Sequence, residues 1–481
     1  MPLAPAYRPD PRFPALGPDY ADAVAPARFP LARLRYRNQR WAERIGLGGL
    51  TAAEWEAAFA RFEPLPDNIS PPLAMRYHGH QFGVYNPEIG DGRGFLFAQM
   101  RDDRGRLLDL ATKGSGQTPH SRFGDGRLTL KGGVREVLAA EMLEALGVYT
   151  SKSFALFETG EALERGDEPS PTRSSVLTRL GHSHIRFGTF QRLAYIERED
   201  LAAKLVDHCL ESYYPSLGDV GAAGLFRAVV SEAARLAASW MAAGFVHGVL
   251  NTDNMTITGE SMDYGPWRFL PRSDPDFVAA YFDEAGRYRF GQQPNVVSWN
   301  LTQLASALLP LATQEELVAA LQTYPDRYRG ALRAAFFQRL GLAPGEIGAD
   351  LDFLQEMFTW MTQSGAGWDQ FFHDWFCGAA SAARAQASPQ ADLYARDAFA
   401  PIRAGLEACA PVRPERLAHA HFSRPRAVTL VIEEVEALWA PIAAADDWAQ
   451  FEAKLAEIAA FRDAHGFSAL AADDQLLAPA P

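Results

Sequence analysis

Three polar residues in one short segment carry the strongest chemical signal in the sequence. Asp253 and Asn254 lie within HGVLNTDNMTITGESMDYG, and Asp263 follows near its end. An Asn amide oxygen and an Asp carboxylate suit Mg²⁺ when phosphate oxygens complete its coordination shell. The residues between Asn254 and Asp263 predict a short hairpin, which would bring both ligands to one site. The structural alternative is an Asx-rich turn that binds no metal.

A buried ion pair is predicted upstream of this segment. Lys113 ends a predicted strand, and Glu136 lies on a predicted helix beside Ala139, Ala140 and Leu143. Residues three and four apart share one face of a helix, so Glu136 lies on an apolar strip where a carboxylate needs a partner. Lys113 is the expected partner, and the pair would hold the ammonium toward phosphates, as a strand Lys and a helix Glu do in protein kinases. A purely structural ion pair is the alternative.

Two copies of Gly-Asp-Gly-Arg could form loops that contact a nucleotide. The first contains Gly90, Gly92 and Arg93 and stands just before a predicted strand, and the second contains Asp125 and Gly126. Glycine lets backbone N–H groups approach a phosphate closely, and an arginine fork suits phosphate oxygens. Taken alone, the first copy is more typical of a hairpin turn, and the second fits an ordinary turn before a helix equally well.

Two further arginines, Arg179 and Arg186, stand in the segment LTRLGHSHIRFGTF. In an acidic protein, arginines that converge near a glycine-rich loop indicate polyphosphate binding. Each could instead be a surface or ion-paired residue. His182 and His184 in the same segment lack a third metal ligand at a useful spacing, so we interpret them as packing residues.

One departure from protein kinases concerns the catalytic base. Kinases place the catalytic Asp five residues before the Asn that binds the metal. In this sequence that position is Val249, whose side chain cannot accept a proton. Asp253 is the nearby carboxylate, but it stands in a different register. The residues therefore indicate a site that holds a nucleotide and a metal without the layout for ordinary γ-phosphoryl transfer.

Strands, turns and one helix are predicted around the first group of candidates. The segments Phe95–Asp102 and Arg106–Lys113 flank a turn and predict a hairpin that ends at Lys113. LKGGVREVLAAEMLEALG predicts a helix that closes at Gly147. From about residue 197 the pattern is mostly helical and includes a buried helix at Leu225–Ala243.

These elements predict an α+β fold with two lobes and a ligand in the cleft between them. The first lobe is small and β-rich with one helix, and the second is larger and helical. The predicted divisions are an N-terminal extension at residues 1–75, a nucleotide-binding N-lobe at 76–190, a helical C-lobe with the metal-binding loop at 191–400, and a C-terminal helical extension at 401–481.

The composition of the 481-residue chain limits its partners. Lys and Arg number 46 and Asp and Glu number 59, so the net charge is 46 − 59 = −13. That charge argues against nucleic acid or an anionic membrane as a partner. Three widely spaced cysteines cannot form a CxxC zinc site or a disulfide framework. With no apolar run of ~18 residues and no signal-peptide pattern, we expect a cytoplasmic protein, and we expect a monomer.

Five stretches resemble the SelO/YdiU family of protein nucleotidyltransferases. In order, they are YHGHQFGVYNPEIGDGRG, LATKGSGQTPHSRFGDGR, HSHIRFGTF, GFVHGVLNTDNMTITGESMDYGPW and GRYRFGQQPNVVSWNL. The resemblance is strong over residues 75–310 and weak beyond residue 400. Eukaryotic members carry a selenocysteine near the C-terminus, whereas this tail has no cysteine, so the resemblance implies no redox control through that end.

The resemblance implies a protein-kinase-like fold that binds ATP in a flipped orientation, with the α-phosphate facing the acceptor. The product would be an AMP-modified Ser, Thr or Tyr of a protein substrate, and pyrophosphate would leave. Related bacterial members also imply UMP transfer to Tyr or His.

The resemblance also implies roles for individual residues. Asp253 would accept a proton, Glu136 would position Lys113, and Asn254 and Asp263 would hold Mg²⁺ or Mn²⁺. The residues that would bind the nucleotide are Gly90, Gly92, Arg93, Lys113, Asp125, Gly126, Arg179, Arg186 and Asp263.

Two other functions stay open at this point. A conventional protein kinase would use the same fold, although Val249 at the base position argues against it. A catalytically inactive ATP-binding scaffold would need no metal ligands, so Asn254 and Asp263 argue against that function.

Overall fold

A computed structural model describes residues 5–166 and 168–469 of the chain and shows a β-sheet region followed by a mainly helical region. Its strands are β1 (Ala21–Ala23), β2 (Arg33–Arg37), β3 (Leu73–Met75), β4 (Gly79–Gln81), β5 (Val84–Asn86), β6 (Leu96–Arg101), β7 (Leu107–Lys113), β8 (Leu128–Thr129), β9 (Lys152–Leu163), β10 (Thr172–Gly181), β11 (Phe245–Val246) and β12 (Arg268–Phe269). Its α-helices are α1 (Gln39–Arg44), α2 (Ala52–Phe59), α3 (Leu130–Ala145), α4 (Phe187–Tyr195), α5 (Glu199–Tyr213), α6 (Gly221–Ala243), α7 (Gln293–Leu308), α8 (Gln314–Gln322), α9 (Tyr324–Leu340), α10 (Ile347–Ser364), α11 (Trp368–Asp374), α12 (Ala382–Gln386), α13 (Ala391–Tyr394), α14 (Ala400–Ala408), α15 (Ile432–Ala445) and α16 (Ala449–His465).

An eight-stranded sheet forms the framework of the first region. Its strands follow the order β1-β3-β6-β7-β10-β9-β2, and β8 pairs with β10. The predicted hairpin is confirmed as β6 and β7, and β7 is buried along its whole length. Both faces of the sheet are covered, because Leu107 and Leu177 pack in the cluster that contains α3, whereas Leu108 and Phe157 pack in the cluster that contains α1 and α2.

The N-terminal segment contributes strands to both ends of this sheet. β1 pairs with β3 through Ala21 and Met75, and β2 pairs with β9 through Leu34 and Phe157. Trp55 of α2 stacks on Phe154 of β9, with ring centroids 5.0 Å apart. The described residues before position 75 therefore contribute to the hydrophobic core around the sheet.

Helix α3 lies between the sheet and the C-terminal helix α16. Thr129 caps its N-terminus by accepting a hydrogen bond from the Gly132 N–H. On the outer side, Arg462 of α16 donates to Glu141 at 2.9 Å. Because α3 is held from both sides, the direction in which Glu136 projects from it is fixed.

The register of β7 and β10 places two candidate cations on one face of the sheet. Lys113 is opposite Leu177, and Arg179 is opposite Ala111. Directly opposed residues share a face, and so do residues two apart along a strand. Lys113 and Arg179 therefore project to the same side.

The segment that carries Asp253, Asn254 and Asp263 follows helix α6. This helix ends at Gly244, which adopts a left-handed φ of 65°. A 3₁₀ turn at Thr252–Asn254 comes next. The structure therefore positions this segment by a buried helix, as the sequence predicts.

The hairpin predicted between Asn254 and Asp263 is wrong. Thr256 forms an isolated bridge with Arg186, and Ser261 forms one with Thr150. Both edges of the segment thus bridge to residues far away in the sequence, and within the segment the Thr256 hydroxyl bonds to the backbone of Glu260. A tertiary partner is preferred over the local one, and the segment is tied to the residues that carry the cations.

No helix within residues 5–166 and 168–469 is long and apolar enough to cross a membrane.

A substitution at Gly188 tests the close backbone packing of α4 against the segment before β4. A Cβ at this position would lie 1.9 Å from the carbonyl oxygen of His78. We expect Gly188→Ala to lower the free energy of unfolding by roughly 1–3 kcal/mol, because one backbone must move. Urea unfolding measures the change. The matched control is Gly330→Ala in α9, where a Cβ meets nothing within 4 Å. The control should be neutral or stabilising by up to about 1 kcal/mol, and equal destabilisation in both variants would contradict the close packing.

Candidate active site

A cavity of about 760 Å³ lies where the sheet meets the segment after α6. Eleven of the twelve predicted site residues line it, and they are Gly90, Gly92, Arg93, Lys113, Asp125, Gly126, Arg179, Arg186, Asp253, Asn254 and Asp263. The twelfth, Glu136, lies directly behind Lys113. The structure therefore brings together residues that are up to 173 positions apart (263 − 90) in the sequence.

Lys113 and Glu136 form the ion pair that the helix pattern predicts. The Lys113 Nζ donates to Glu136 Oε1, and it also lies 3.3 Å from Asp263 Oδ1. Glu136 is only 2% exposed, so its carboxylate would be strongly disfavoured without this partner. The pair fixes the ammonium at the wall of the cavity.

Asp263 is the centre of the site. Its Oδ1 accepts from Arg179 Nη1 at 2.5 Å, and its Oδ2 accepts from Arg186 Nη1 at 2.7 Å. Burial by itself would raise the pKa of Asp263, but the charges of Arg179, Arg186 and Lys113 hold it well below the usual range. Asp263 also adopts a left-handed φ of 61°. Non-glycine residues seldom adopt this conformation unless the surrounding structure imposes it.

Asp253 presents an unpaired carboxylate to the same cavity. Its Oδ1 is buried and has no hydrogen-bond partner within residues 5–166 and 168–469, and its Oδ2 lies 3.4 Å from Gln81 Nε2. Burial raises the pKa of Asp253 to about 6, although the charge of Arg186 opposes the shift. A buried carboxylate without a partner is costly, so this oxygen marks a place for a proton or a cation.

Asn254 is held by the residue that occupies the kinase base position. Its Nδ2 donates to the carbonyl oxygen of Val249 at 2.9 Å. Because the amide nitrogen is occupied, the amide oxygen is the group available to a cation.

The residues present fit a divalent cation bound together with phosphates. Asn254 offers an amide oxygen, Asp263 a carboxylate, and Asp253 an orphaned buried carboxylate oxygen. The described residues contain no cluster of three or more His, Cys, Asp or Glu side chains suited to a metal. This donor set matches Mg²⁺, which keeps several waters and takes phosphate oxygens rather than a full protein cage.

The glycines of the first loop have a packing role that sequence does not show. A Cβ on Gly90 would lie 2.5 Å from the His120 ring, and one on Gly92 would lie 2.8 Å from the His120 carbonyl oxygen. The loop thus packs closely against the chain before α3. Arg93 is exposed at the cavity and has no salt bridge within the described part of the chain.

The second loop is stabilised by its own contacts. Gly126 has a left-handed φ of 69°, and a Cβ there would lie 2.2 Å from Gly116. Asp125 forms an ion pair with Arg165 at 2.8 Å. Both residues face the cavity, although Asp125 lies at its exposed rim.

A clamp over Asp253, formed by Gly79, His80 and Phe82, is not predicted from the sequence. The His80 N–H donates to Thr252 Oγ1 at 2.7 Å, and the Phe82 N–H donates to Asn251 Oδ1 at 3.1 Å. A Cβ on Gly79 would lie 2.8 Å from Asp253 Oδ1. The signal is the motif HGHQFG, which has no helical or strand period and contributes only to the family resemblance.

Two further residues of the cavity wall, Tyr77 and Asp91, are not among the predicted site residues. The Tyr77 ring centre lies 4.6 Å from the guanidinium carbon of Arg186, a stacking distance that helps to orient this cation. Asp91 lines the cavity between the two glycines of the first loop, and burial raises its pKa.

His184 is a packing residue, as interpreted from sequence. Its N–H donates to Asp109 Oδ2 at 2.9 Å, and the side chain is buried. His182 Nδ1 lies 2.7 Å from the Tyr149 hydroxyl oxygen. Neither histidine lines the cavity that contains Asp263.

The chain is similar to proteins of one family over nearly its whole length. The family model described as "Protein adenylyltransferase SelO" matches residues 6–459. The weak resemblance expected beyond residue 400 is therefore corrected, because the match continues through α14, α15 and most of α16.

Several relatives carry the name "Protein nucleotidyltransferase YdiU". The protein from Synechococcus elongatus is 44% identical over 474 residues, which cover 93% of this chain and 94% of the relative. The protein from Synechocystis is 51% identical over 350 residues, or 71% of this chain and 72% of the relative. The protein from Vibrio cholerae is 38% identical over 368 residues, or 76% of this chain and 74% of the relative.

The environment of Asp253 predicts an unusual titration in the nucleotide-free protein. Because burial raises its pKa to about 6, the carboxyl should be protonated below that pH and charged above it. An unfolded aspartate titrates near pH 3.9, so ionisation of this group should lower the free energy of unfolding as the pH rises from about 4 to 6. The ¹³C carboxyl shift measures the midpoint, and Asp253→Asn identifies the signal. A midpoint near pH 4 would contradict the buried, unpaired environment.

Proposed function

The chain belongs to the SelO family of protein adenylyltransferases, and we propose that it transfers AMP from ATP to a hydroxyl side chain of another protein. The observation that supports this most is the juxtaposition, in one cavity, of three cations around Asp263 and an unpaired carboxylate on Asp253. The cations suit a polyphosphate, and the carboxylate suits an incoming hydroxyl. The proposal also includes a two-lobe, kinase-like division of the chain at the cavity.

The reaction forms a bond between the acceptor oxygen and the α-phosphorus of ATP. The bond from the α-phosphorus to the oxygen that bridges it to the β-phosphorus breaks, and pyrophosphate leaves with that electron pair. Lys113, Arg179 and Arg186 bear the charges that would stabilise pyrophosphate as it forms. Arg93, exposed at the cavity without a salt bridge among the described residues, would add a further charge.

Asp253 is proposed as the group that takes the acceptor proton. A base works best when its pKa lies near the working pH, and burial raises the pKa of Asp253 to about 6. Gln81 and the backbone around Gly79 hold the carboxylate in place. Its Oδ1 has no partner among the described residues, so the carboxylate keeps one oxygen that accepts no hydrogen bond.

Asn254 and Asp263 are proposed to hold Mg²⁺ or Mn²⁺, and Gly90, Gly92, Asp125 and Gly126 are proposed to contact the nucleotide. When bound, the divalent cation would neutralise phosphate charge and orient the triphosphate. Glu136 positions Lys113 through their ion pair. These roles follow the family motif position by position and agree with the placement of seven of these eight residues at the cavity wall and of Glu136 behind it.

We also propose an acceptor type, a nucleotide alternative, an oligomeric state and a compartment. The acceptor would be Ser, Thr or Tyr, and UMP transfer from UTP to Tyr or His is the nucleotide alternative. Cys209, Cys377 and Cys409 are free thiols, which suits a monomer in a reducing compartment such as the cytoplasm. The protein is not proposed to bind nucleic acid, since its net charge is −13.

The position of the label distinguishes the proposed reaction from its alternatives. We expect label from α-³²P-ATP to appear on protein and label from γ-³²P-ATP not to appear, because AMP is retained and pyrophosphate leaves. UTP labelled at the α-phosphate, in the same assay, decides between AMP and UMP transfer. Label from the γ-phosphate alone would identify a kinase, and binding of ATP without any labelling would identify a scaffold.

Lys113→Ala and Asp263→Ala test the assignment of the site. Each should reduce transfer at least about 100-fold, because one removes a cation for the phosphates and the other removes both a metal ligand and the counter-ion of the cluster. The assay is α-³²P-ATP labelling, with the melting temperature measured in parallel. The matched control is Lys204→Ala, whose Nζ donates, within the described part of the chain, only to the backbone of residues 15 and 16. Full transfer in either site variant would show that the residue has no part in the reaction.

A further inference from the structure

A second groove of about 500 Å³ adjoins the nucleotide cavity. Arg93, Lys113 and Gly265 line both spaces, so the two are continuous. The wall of the groove is made by the N-terminal half of α3 and the residues just before it, by Arg165 and Glu168, by the chain after Asp263, and by Glu436 of α15.

Two arginines lie side by side in this groove. Arg135 Nη2 donates to the carbonyl oxygens of Gly265 at 3.1 Å and Trp267 at 3.2 Å. Arg268 Nη1 donates to the carbonyl oxygens of Pro266 at 3.0 Å and Trp267 at 2.9 Å. The backbone of one turn thus holds both guanidinium groups, which brings two positive charges close together.

Neither guanidinium has a carboxylate partner within residues 5–166 and 168–469. Burial, together with the charge of Arg268, lowers the pKa of Arg135 to about 10, and the charges of Glu436 and Glu136 oppose this shift. Three acidic side chains also line the groove, and they are Glu136, Glu168 and Glu436. Glu136 is paired with Lys113, and the Glu436 Oε2 accepts from Lys131 at 2.8 Å. Each arginine has five N–H donors, so the Nε and one terminal nitrogen of each remain available to an anion.

Exposed aromatic side chains stand at the rim of the same groove. Tyr281 is 83% exposed and Phe282 is 47% exposed, and both line the space. Exposed aromatic residues beside paired arginines are typical of surfaces that bind a protein segment. The chain as a whole carries a net charge of −13, so this groove is a local exception that suits an acidic partner.

We propose that the groove binds an acidic side chain of the protein substrate close to the modified hydroxyl, with Arg135 and Arg268 as its ligands. The bound group is a carboxylate or a phosphate, since both accept paired hydrogen bonds from guanidinium groups. This inference rests on the proposed AMP transfer and adds the chemical class of its acceptor. The aromatic rim would contact apolar residues that flank the acidic one.

Transfer to three synthetic peptides tests the groove. The peptides share one Ser, one Thr and one Tyr, and these are flanked by Glu, by phosphoserine or by Lys. We expect kcat/KM to be at least about tenfold higher with Glu or phosphoserine than with Lys, because each charge-assisted contact favours the anion. A phosphoserine peptide that exceeds the Glu peptide would identify phosphate as the preferred group, and the reverse order would identify carboxylate.

Arg268→Gln should remove most of this preference through KM while kcat with the Lys peptide stays unchanged. The matched control is Arg272→Gln, an exposed arginine on the same segment that does not line the groove. The control should keep the full preference. A merely structural role of Arg268 would instead lower kcat with all three peptides alike.

Three results would overturn the inference. The first is equal kcat/KM for the three peptides, and the second is a preference that persists in Arg268→Gln. The third is weaker inhibition by pyrophosphate in Arg268→Gln with every peptide, which would assign the groove to the leaving group. If no peptide is labelled at all, the proposed transfer fails. Fluorescence anisotropy of the Glu and Lys peptides on wild-type protein and Arg268→Gln then decides the groove separately, since equal binding would overturn it and selective binding would support it.

Discussion

The structure depends on the interaction of one carboxylate with three cations. Asp263 contacts Lys113, Arg179 and Arg186, and the pKa of its carboxyl is held well below the usual range by their charges despite burial. Buried charges are tolerated only when they are paired, so Asp263 keeps the cations together when no nucleotide is present. A triphosphate would bring further negative charge to the same cations, and this is why we propose the cluster as a preorganised site for polyphosphate.

Each cation reaches the cluster from a different element. The register of β7 and β10 places Lys113 and Arg179 on one face of the sheet, and Arg186 stands at the start of α4. Asp263 is drawn toward them because the segment before it pairs with the sheet region at Thr256 and Ser261. The C-terminal helices contribute indirectly, since α16 packs on α3 and so helps to fix the Glu136 that holds Lys113.

The features that the sequence predicts are those that follow from local periodicity or from the type of a residue. The contact of Glu136 with Lys113 follows from an acidic residue on an apolar helix face, and the residue types of Asn254 and Asp263 predict that their segment lies at the site. The predicted hairpin between Asn254 and Asp263 is wrong because Thr256 bridges to Arg186 and Ser261 bridges to Thr150, and no local pattern reveals these distant partners. Strand β2 was not predicted for a similar reason, since its partner β9 lies more than 100 residues later in the sequence. The clamp formed by the segment HGHQFG depends on backbone N–H donors. Because nearly every residue type has such a donor, the residue types do not predict the clamp.

A crystal structure with a non-hydrolysable ATP analogue and Mg²⁺ would test the central claim most directly. The measured quantity is the distance from each phosphorus to the carboxylate of Asp253. The cation cluster around Asp263 should hold the β- and γ-phosphates, which would leave the α-phosphorus closest to Asp253. A γ-phosphorus closest to Asp253, with the α-phosphate on Lys113 and Arg179, would contradict this account.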